Sequence, residues 1–153
     1  MSGAGTGIGG KADGFYYAYK AANGDLTVTA LVNSAQAGTN QAGLMIRSGL
    51  GANVQEVSLL LTGKKAALVT RKTAGAAAVS TAKSVSAGPL WERLTRKGNV
   101  FTASISSDNV HWTTVGSITL AMSKAVDAGL VVTSGKSNDL DTATFSQVTI
   151  TSP

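Results

Sequence analysis

Residues 90–120, LWERLTRKGNVFTASISSDNVHWTTVGSITL, decide the fold. Leu90, Glu92 and Leu94 alternate with Trp91, Arg93 and Thr95. After Lys97-Gly98-Asn99, Phe101, Ala103 and Ile105 alternate with Thr102, Ser104 and Ser106. That period of two is the mark of half-buried strands, and the glycine-centred break between them makes an antiparallel hairpin. A second break, Ser107-Asp108-Asn109, supplies side chains that bond their own backbone and a residue that tolerates positive φ. It leads into a third strand around His111–Val115, with Trp112 at its centre. The rest of the chain is expected to pack around this meander.

Outward from it, the same pattern recurs. Phe15, Tyr17 and Tyr19 share one side of a strand and Tyr16 the other; Ala22-Asn23-Gly24-Asp25 is a hairpin turn. Strands follow at 26–32, 42–47, 54–61 and 66–72, with a polar loop over 33–41. The alanine-rich 73–88 stretch has some helix propensity, but Gly75, its Ser and Thr content and its all-strand surroundings predict an edge strand near 77–82. Strands at 126–133 and 143–150 close the chain, the second with a bulge where Phe145 and Val148 break alternation. Ten or eleven short strands with frequent polar turns predict an all-β, two-sheet antiparallel sandwich. A chain of 153 residues is one domain, here a glycine-rich arm over 1–11 and a sandwich over 12–153.

Composition narrows the chemistry. Without cysteine there is no disulfide and no thiolate metal site, and His111 is the lone histidine, so a zinc site is excluded in practice. No run is long enough to cross a bilayer as a helix. The charge of +5 is concentrated in Lys64, Lys65, Arg71, Lys72, Lys83, Arg93, Arg96 and Lys97, a basic middle with Glu92 the acid among them. Few aromatics argue against a base-stacking platform, and nucleic acid is not the expected partner. The GxGxxG of Gly5–Gly10 has no preceding strand or following helix, which removes the dinucleotide reading.

Three stretches carry a resemblance: ADGFYYAY with NGDLTVTALV, then QAGLMIRSGL, then PLWERLTRKGNVFTASISSDNVHWTTVGS with AGLVVTSG and TATFSQVTI. Over 12–150 the chain resembles the concanavalin A-like jelly-roll modules, related in fold to laminin G domains, of bacterial extracellular multidomain proteins. The resemblance implies a jelly roll, often set beside glycoside hydrolases or adhesion repeats, and an extracellular setting; a virion surface is the other location considered. It also implies that Trp112, in DNVHW where the family has DGxxW, packs against the sandwich. Two departures stand out. Only eleven residues precede Ala12 where the family has a further strand or two, so an edge is expected to be open. Gly38-Thr39-Asn40 stands where the family offers a Trp.

The candidate ligand-binding residues are Trp91, Trp112, Tyr16 and Tyr17, since aromatic faces stack on sugar rings and tyrosine adds a hydroxyl. Oxygen-rich Asn138, Asp139 and Asp141, or Asp108 with Asn109, offer calcium ligands but lack EF-hand spacing, so no metal and no cofactor are expected. Glu56 and Glu92 lie in strands without a glucanase-like arrangement, and neither Ser107 nor Ser134 sits in a nucleophile elbow beside His111; catalysis is not expected. Two functions remain open. One is a non-catalytic module that attaches to a glycan or surface polymer. The other is a structural subunit, as in a capsid or filament, whose open edge and N-terminal arm contact neighbouring copies. An exposed aromatic row favours the first, an arm ordered only against a neighbour the second.

Overall fold

The computed structural model describes residues 1–34, 39–86 and 88–153; Gly38, part of the expected loop departure, lies outside them. Twelve strands occur among these residues, all in antiparallel pairs: β1 (Ser2–Gly3), β2 (Tyr16–Asn23), β3 (Leu26–Ser34), β4 (Gln41–Arg47), β5 (Glu56–Thr62), β6 (Lys65–Arg71), β7 (Val79–Ser84), β8 (Leu90–Lys97), β9 (Val100–Ser106), β10 (Thr113–Thr119), β11 (Ala125–Thr133) and β12 (Asp141–Thr151). They form two six-stranded sheets. Sheet A runs β1-β12-β3-β8-β9-β10 and sheet B runs β2-β11-β4-β5-β6-β7. The fold is the expected two-sheet antiparallel jelly-roll sandwich. No helix among the described residues is long and apolar enough to cross a membrane.

The alternation read from sequence becomes the core between the sheets. Leu26, Val28, Ala30 and Val32 of β3, with Leu94, Phe101 and Ala103 of sheet A, face Leu44, Ile46, Val57, Leu59 and Leu61 of sheet B. Removing such side chains from water supplies about 1.5–3 kcal/mol each. The 90–120 meander is half of sheet A, with β10 at its edge, so the centre of that sheet is β3 and β8 rather than the meander as a whole. Gly98 takes φ 60° in the first turn and Asn109 φ 62° in the second. The β12 bulge falls between Ser146 and Thr149, with Gln147 at φ 51°. β7 is the exposed edge strand expected of the alanine-rich stretch, while β3 extends to Ser34, two residues into the expected loop.

The first fourteen residues depart most from expectation. They are held by their own chain: Ser2 and Gly3 pair with Thr142 and Asp141, and Met1 exchanges bonds with Ala143. Gly7 and Gly14 exchange N–H···O bonds of 3.0 Å, closing a loop over 8–13. Gln41 clamps that loop, its Oε1 accepting from Ile8 N and its Nε2 donating to Ile8 O. Further bonds run from Ala78 N to Gly10 O and from Asp13 N to Ala52 O. At Gly5, with φ 149°, a Cβ would stand 2.1 Å from the Gly14 carbonyl oxygen, so only glycine lets the two strands of the loop's neck meet. The loop lies on the outer face of sheet B. Beneath it Ile8 joins Met45, Leu60, Val69 and Val131 in a second apolar cluster. This is why β4, β5 and β6 are buried on both faces.

Candidate functional site

Sheet A keeps an open outer face. Along β8 the inward Glu92, Leu94 and Arg96 are buried, while Trp91, Arg93 and Thr95 are half-exposed on the other side. The strand register sets their neighbours in transverse rows. Thr151, Thr27, Thr95, Thr102 and Ser117 form one row; Thr149, Thr29, Arg93, Ser104 and Thr114 the next; Ser146, Leu31, Trp91 and Ser106 the third. Strands about 4.8 Å apart and same-face residues about 6.7 Å apart set the uncovered hydroxyls of these rows in a regular array, while Ser104 and Ser106 are buried and Ser106 Oγ is bonded to Asp108 in the following turn. Trp112, just before β10, is placed over it by its turn. Asp108 accepts bonds from Val110 N and His111 N, and its other oxygen lies 2.7 Å from His111 Nδ1. The indole then covers Arg93, whose guanidinium carbon is 4.0 Å from the ring centroid, a cation–π distance. A plane of guanidinium and indole, with Trp91 two residues along the same strand face, thus stands on a hydroxyl floor. The floor ends in a cleft of about 380 Å³ lined by Thr27, Thr95, Lys97 and Thr151.

The four sequence-predicted residues divide. Trp91 and Trp112 share this face. Tyr16 and Tyr17 lie on β2 of the other sheet and point opposite ways. Tyr16 is exposed. Tyr17 donates to Asp127 O at 2.8 Å, with Met45 O at 3.2 Å, and burial raises its phenol far above the usual range. The four residues therefore do not form one site. Arg93 is the member that sequence reading left among generic basic residues; its place two positions after Trp91 was the available signal. The basic middle is not one patch either, since Arg71 and Arg96 are buried and the remaining cations are spread over both sheets. Arg96 donates to the carbonyls of Gly98, Ser123 and Met122, which holds the β8 end to the loop before β11.

Under the N-terminal loop sheet B carries a buried ionic cluster that no local sequence pattern announces. Arg71 grips Asp13 bidentately at 2.7 and 2.6 Å and donates to Gly10 O and Ala76 O. Arg47 lies 3.7 Å from the same carboxylate. Glu56 stands opposite both arginines in register, bonded by Ser58 Oγ, and burial pushes it up to about 7 against that bond. Glu92 belongs elsewhere, in the inter-sheet core. A Cβ at Gly43 would come within 2.7 Å of its carboxylate, neither oxygen makes a hydrogen bond of ordinary geometry, and burial raises its pKa well above normal. The two glutamates lie on different sheets, one between the layers and one under the loop, so they do not face each other across a cleft.

The oxygen-rich loops are used internally. Asp141 is buried with Asn40 Nδ2 on its Oδ1 at 2.8 Å, whereas Asp139 is exposed beside Lys136 at 3.7 Å. Among the described residues no group of three or more His, Cys, Asp or Glu is placed to hold a metal ion. Ser134 Oγ lies within its own turn, its one O–H shared between the Lys136 and Asp139 carbonyls at 2.6 and 2.8 Å.

Solved structures share this architecture. A functionally unknown protein from Saccharomyces cerevisiae superposes with a TM-score of 0.71 at 18% identity, covering 91% of this chain and 75% of that one. The carbohydrate-binding module CBM66 from Bacillus subtilis gives 0.65 at 17% identity, covering 93% and 83%. The GH43 protein BlXynB from Bacillus licheniformis gives 0.68 at 16% identity, but the match covers 82% of this chain and 27% of that one. At these identities the likeness is one of fold. No match was found among curated proteins. A family model described as "Protein of unknown function (DUF1349)" matches residues 10–153, and the chain belongs to that family.

Proposed function

We propose that this chain is a non-catalytic β-sandwich module that binds a glycan or surface polymer outside the cell through the outer face of sheet A. The observation that carries the reading is the Arg93 guanidinium lying 4.0 Å from the Trp112 ring, with Trp91 beside it over rows of Ser and Thr hydroxyls. Aromatic planes take the apolar faces of sugar rings and a hydroxyl array meets their rims, so one surface addresses both sides of a saccharide's chemistry. The fold shared with a carbohydrate-binding module supports it. The kinship to laminin G domains rests on the sequence motifs and belongs to the same reading. The alternative of a capsid or filament subunit drew on an N-terminal arm reaching for a neighbour; residues 1–14 instead bond to their own sheets, which removes that reason.

The test is retention on immobilised xylan, pectin and chitin, comparing wild type with Trp91→Ala, Arg93→Ala and Trp112→Ala. At least one polymer should retain the wild type, with affinity falling about tenfold or more in each variant, the loss of an anchor worth about 1.4 kcal/mol. A Trp91→Ala/Trp112→Ala protein that binds like the wild type would remove this face as the binding surface.

A further inference from the structure

We propose that a second cleft, on sheet B between the N-terminal loop and β2, binds a single carboxylate-bearing sugar residue, a terminal uronate. The cleft is about 250 Å³, lined by Phe15, Tyr17, Tyr19, Leu50, Arg47 and Asp13 among others. That is below the roughly 300–1,000 Å³ of pockets for drug-sized ligands, which sets the occupant at about one ring. Three aromatic rings form its wall. Phe15 meets Tyr17 edge-on at 5.7 Å, and Tyr17 stacks on Tyr19 at 5.1 Å with the planes 21° apart. Tyr19 is 48% exposed and Leu50 59%, so the rim presents apolar surface to solvent.

The pairing of Arg47 points to an anion. Arg47 is 2% exposed, and buried guanidinium groups are ordinarily paired with a carboxylate. The carboxylate within 4.0 Å of it, Asp13, is already held by both terminal nitrogens of Arg71 and stands 3.7 Å from Arg47. What Arg47 has instead is the Gly51 carbonyl, the Met45 sulfur at 3.7 Å and the Phe15 ring at 4.9 Å. Its Nε–H has no hydrogen-bond partner among the described residues. Two guanidinium groups therefore share one carboxylate at the base of an aromatic-walled cleft. Two further carboxylates flank Arg47 in strand register, Glu56 on β5 and Asp127 on β11; Glu56 accepts a bond from Ser58 Oγ, and among the described residues neither forms an ion pair with an arginine. A carboxylate seated against Arg47 gives that guanidinium a direct ion partner, and the attached ring meets Tyr19 and Phe15. This site is separate from the Trp112 face and does not depend on it.

The experiment follows backbone amide shifts by two-dimensional NMR during titration with D-galacturonate, D-galactose and acetate. Galacturonate should give saturable shifts at Tyr19, Leu50 and Ala52, with acetate at least about tenfold weaker and galactose inactive. Tyr19→Ala should weaken galacturonate about tenfold and Arg47→Gln should abolish its binding; Tyr19 is at the rim, so its variant carries the test if Arg47→Gln does not fold. Trp91→Ala/Trp112→Ala should bind galacturonate unchanged, which keeps the fate of this site distinct from that of the polymer face. No shifts, equal shifts with galactose, acetate as strong as galacturonate, or an unaffected Tyr19→Ala each overturns the proposal.

Discussion

The outer faces of the two sheets are built from the same strand geometry and end in opposite states. On sheet A the face is half-exposed, carrying hydroxyls with one cation laid on an indole. On sheet B the corresponding positions hold Met45, Leu60, Val69 and the charged Arg47, Glu56 and Arg71, all buried under a glycine-rich loop. The difference teaches what a roof does to polar residues. In the open, a Thr or an Arg is satisfied by water and free to meet a ligand. Under the loop each charge needs a protein partner, and Asp13, carried in by the loop itself, is the partner supplied. The loop is thus a layer packed on the outer face of sheet B rather than a free arm.

The comparison can be broken most sharply at Asp13. Asp13→Ala leaves two buried guanidinium groups without their shared carboxylate, and urea denaturation should show a loss of about 3–5 kcal/mol. A loss near zero would mean that the cluster is hydrated and the roof is loose. Ile8→Ala, which empties the apolar underside of the loop, should cost about 2–4 kcal/mol by the same measurement and increase amide exchange in β5 and β6.

Acidity separates the buried carboxyls from the open face as well. Glu56 is raised from 4.5 to about 7 and Glu92 well above its ordinary value, both by burial. A carboxyl with a raised folded-state pKa stabilises the protein fully below its unfolded value and loses that contribution as pH rises through the folded one. The denaturation midpoint should therefore fall as the pH rises from 4.5 through about 7. Glu56→Gln and Glu92→Gln should each flatten that slope, whereas no substitution of Thr95 or Trp112 should change it. On sheet A, Trp112→Ala should cost only about 1 kcal/mol of stability while weakening polymer binding about tenfold or more. Smallest of all, Thr95→Val, on the open hydroxyl array, should stay within about 0.5 kcal/mol of wild type; a larger loss would show that this face is covered in solution.

Much of this was legible in the chain. The alternation in 90–106 fixed which residues of β8 and β9 face the core, and Gly98 and Asn109 marked both turns, because those signals are local to a few residues. The bulge in β12 was visible in the misplaced Phe145 and Val148. Trp91 was placed opposite the inward side of its strand by the same logic, whereas the position of Trp112 over the Arg93 guanidinium required knowing that the turn after β9 folds back over β8. Tyr17 was grouped with them by residue type alone, and residue type says nothing about which sheet a strand joins.

By itself the sequence determined the strands, their inward and outward sides and most turns, since a pleat repeats every two residues and a turn is set by the residues within it. The tertiary structure alone decided that β2 and β8 lie in different sheets, that a loop near the N-terminus roofs one of them, and that Asp13 meets Arg47 and Arg71. Those pairings join residues 34 and 58 positions apart, and no periodicity reaches that far: the partner of a buried charge is chosen by how the layers close.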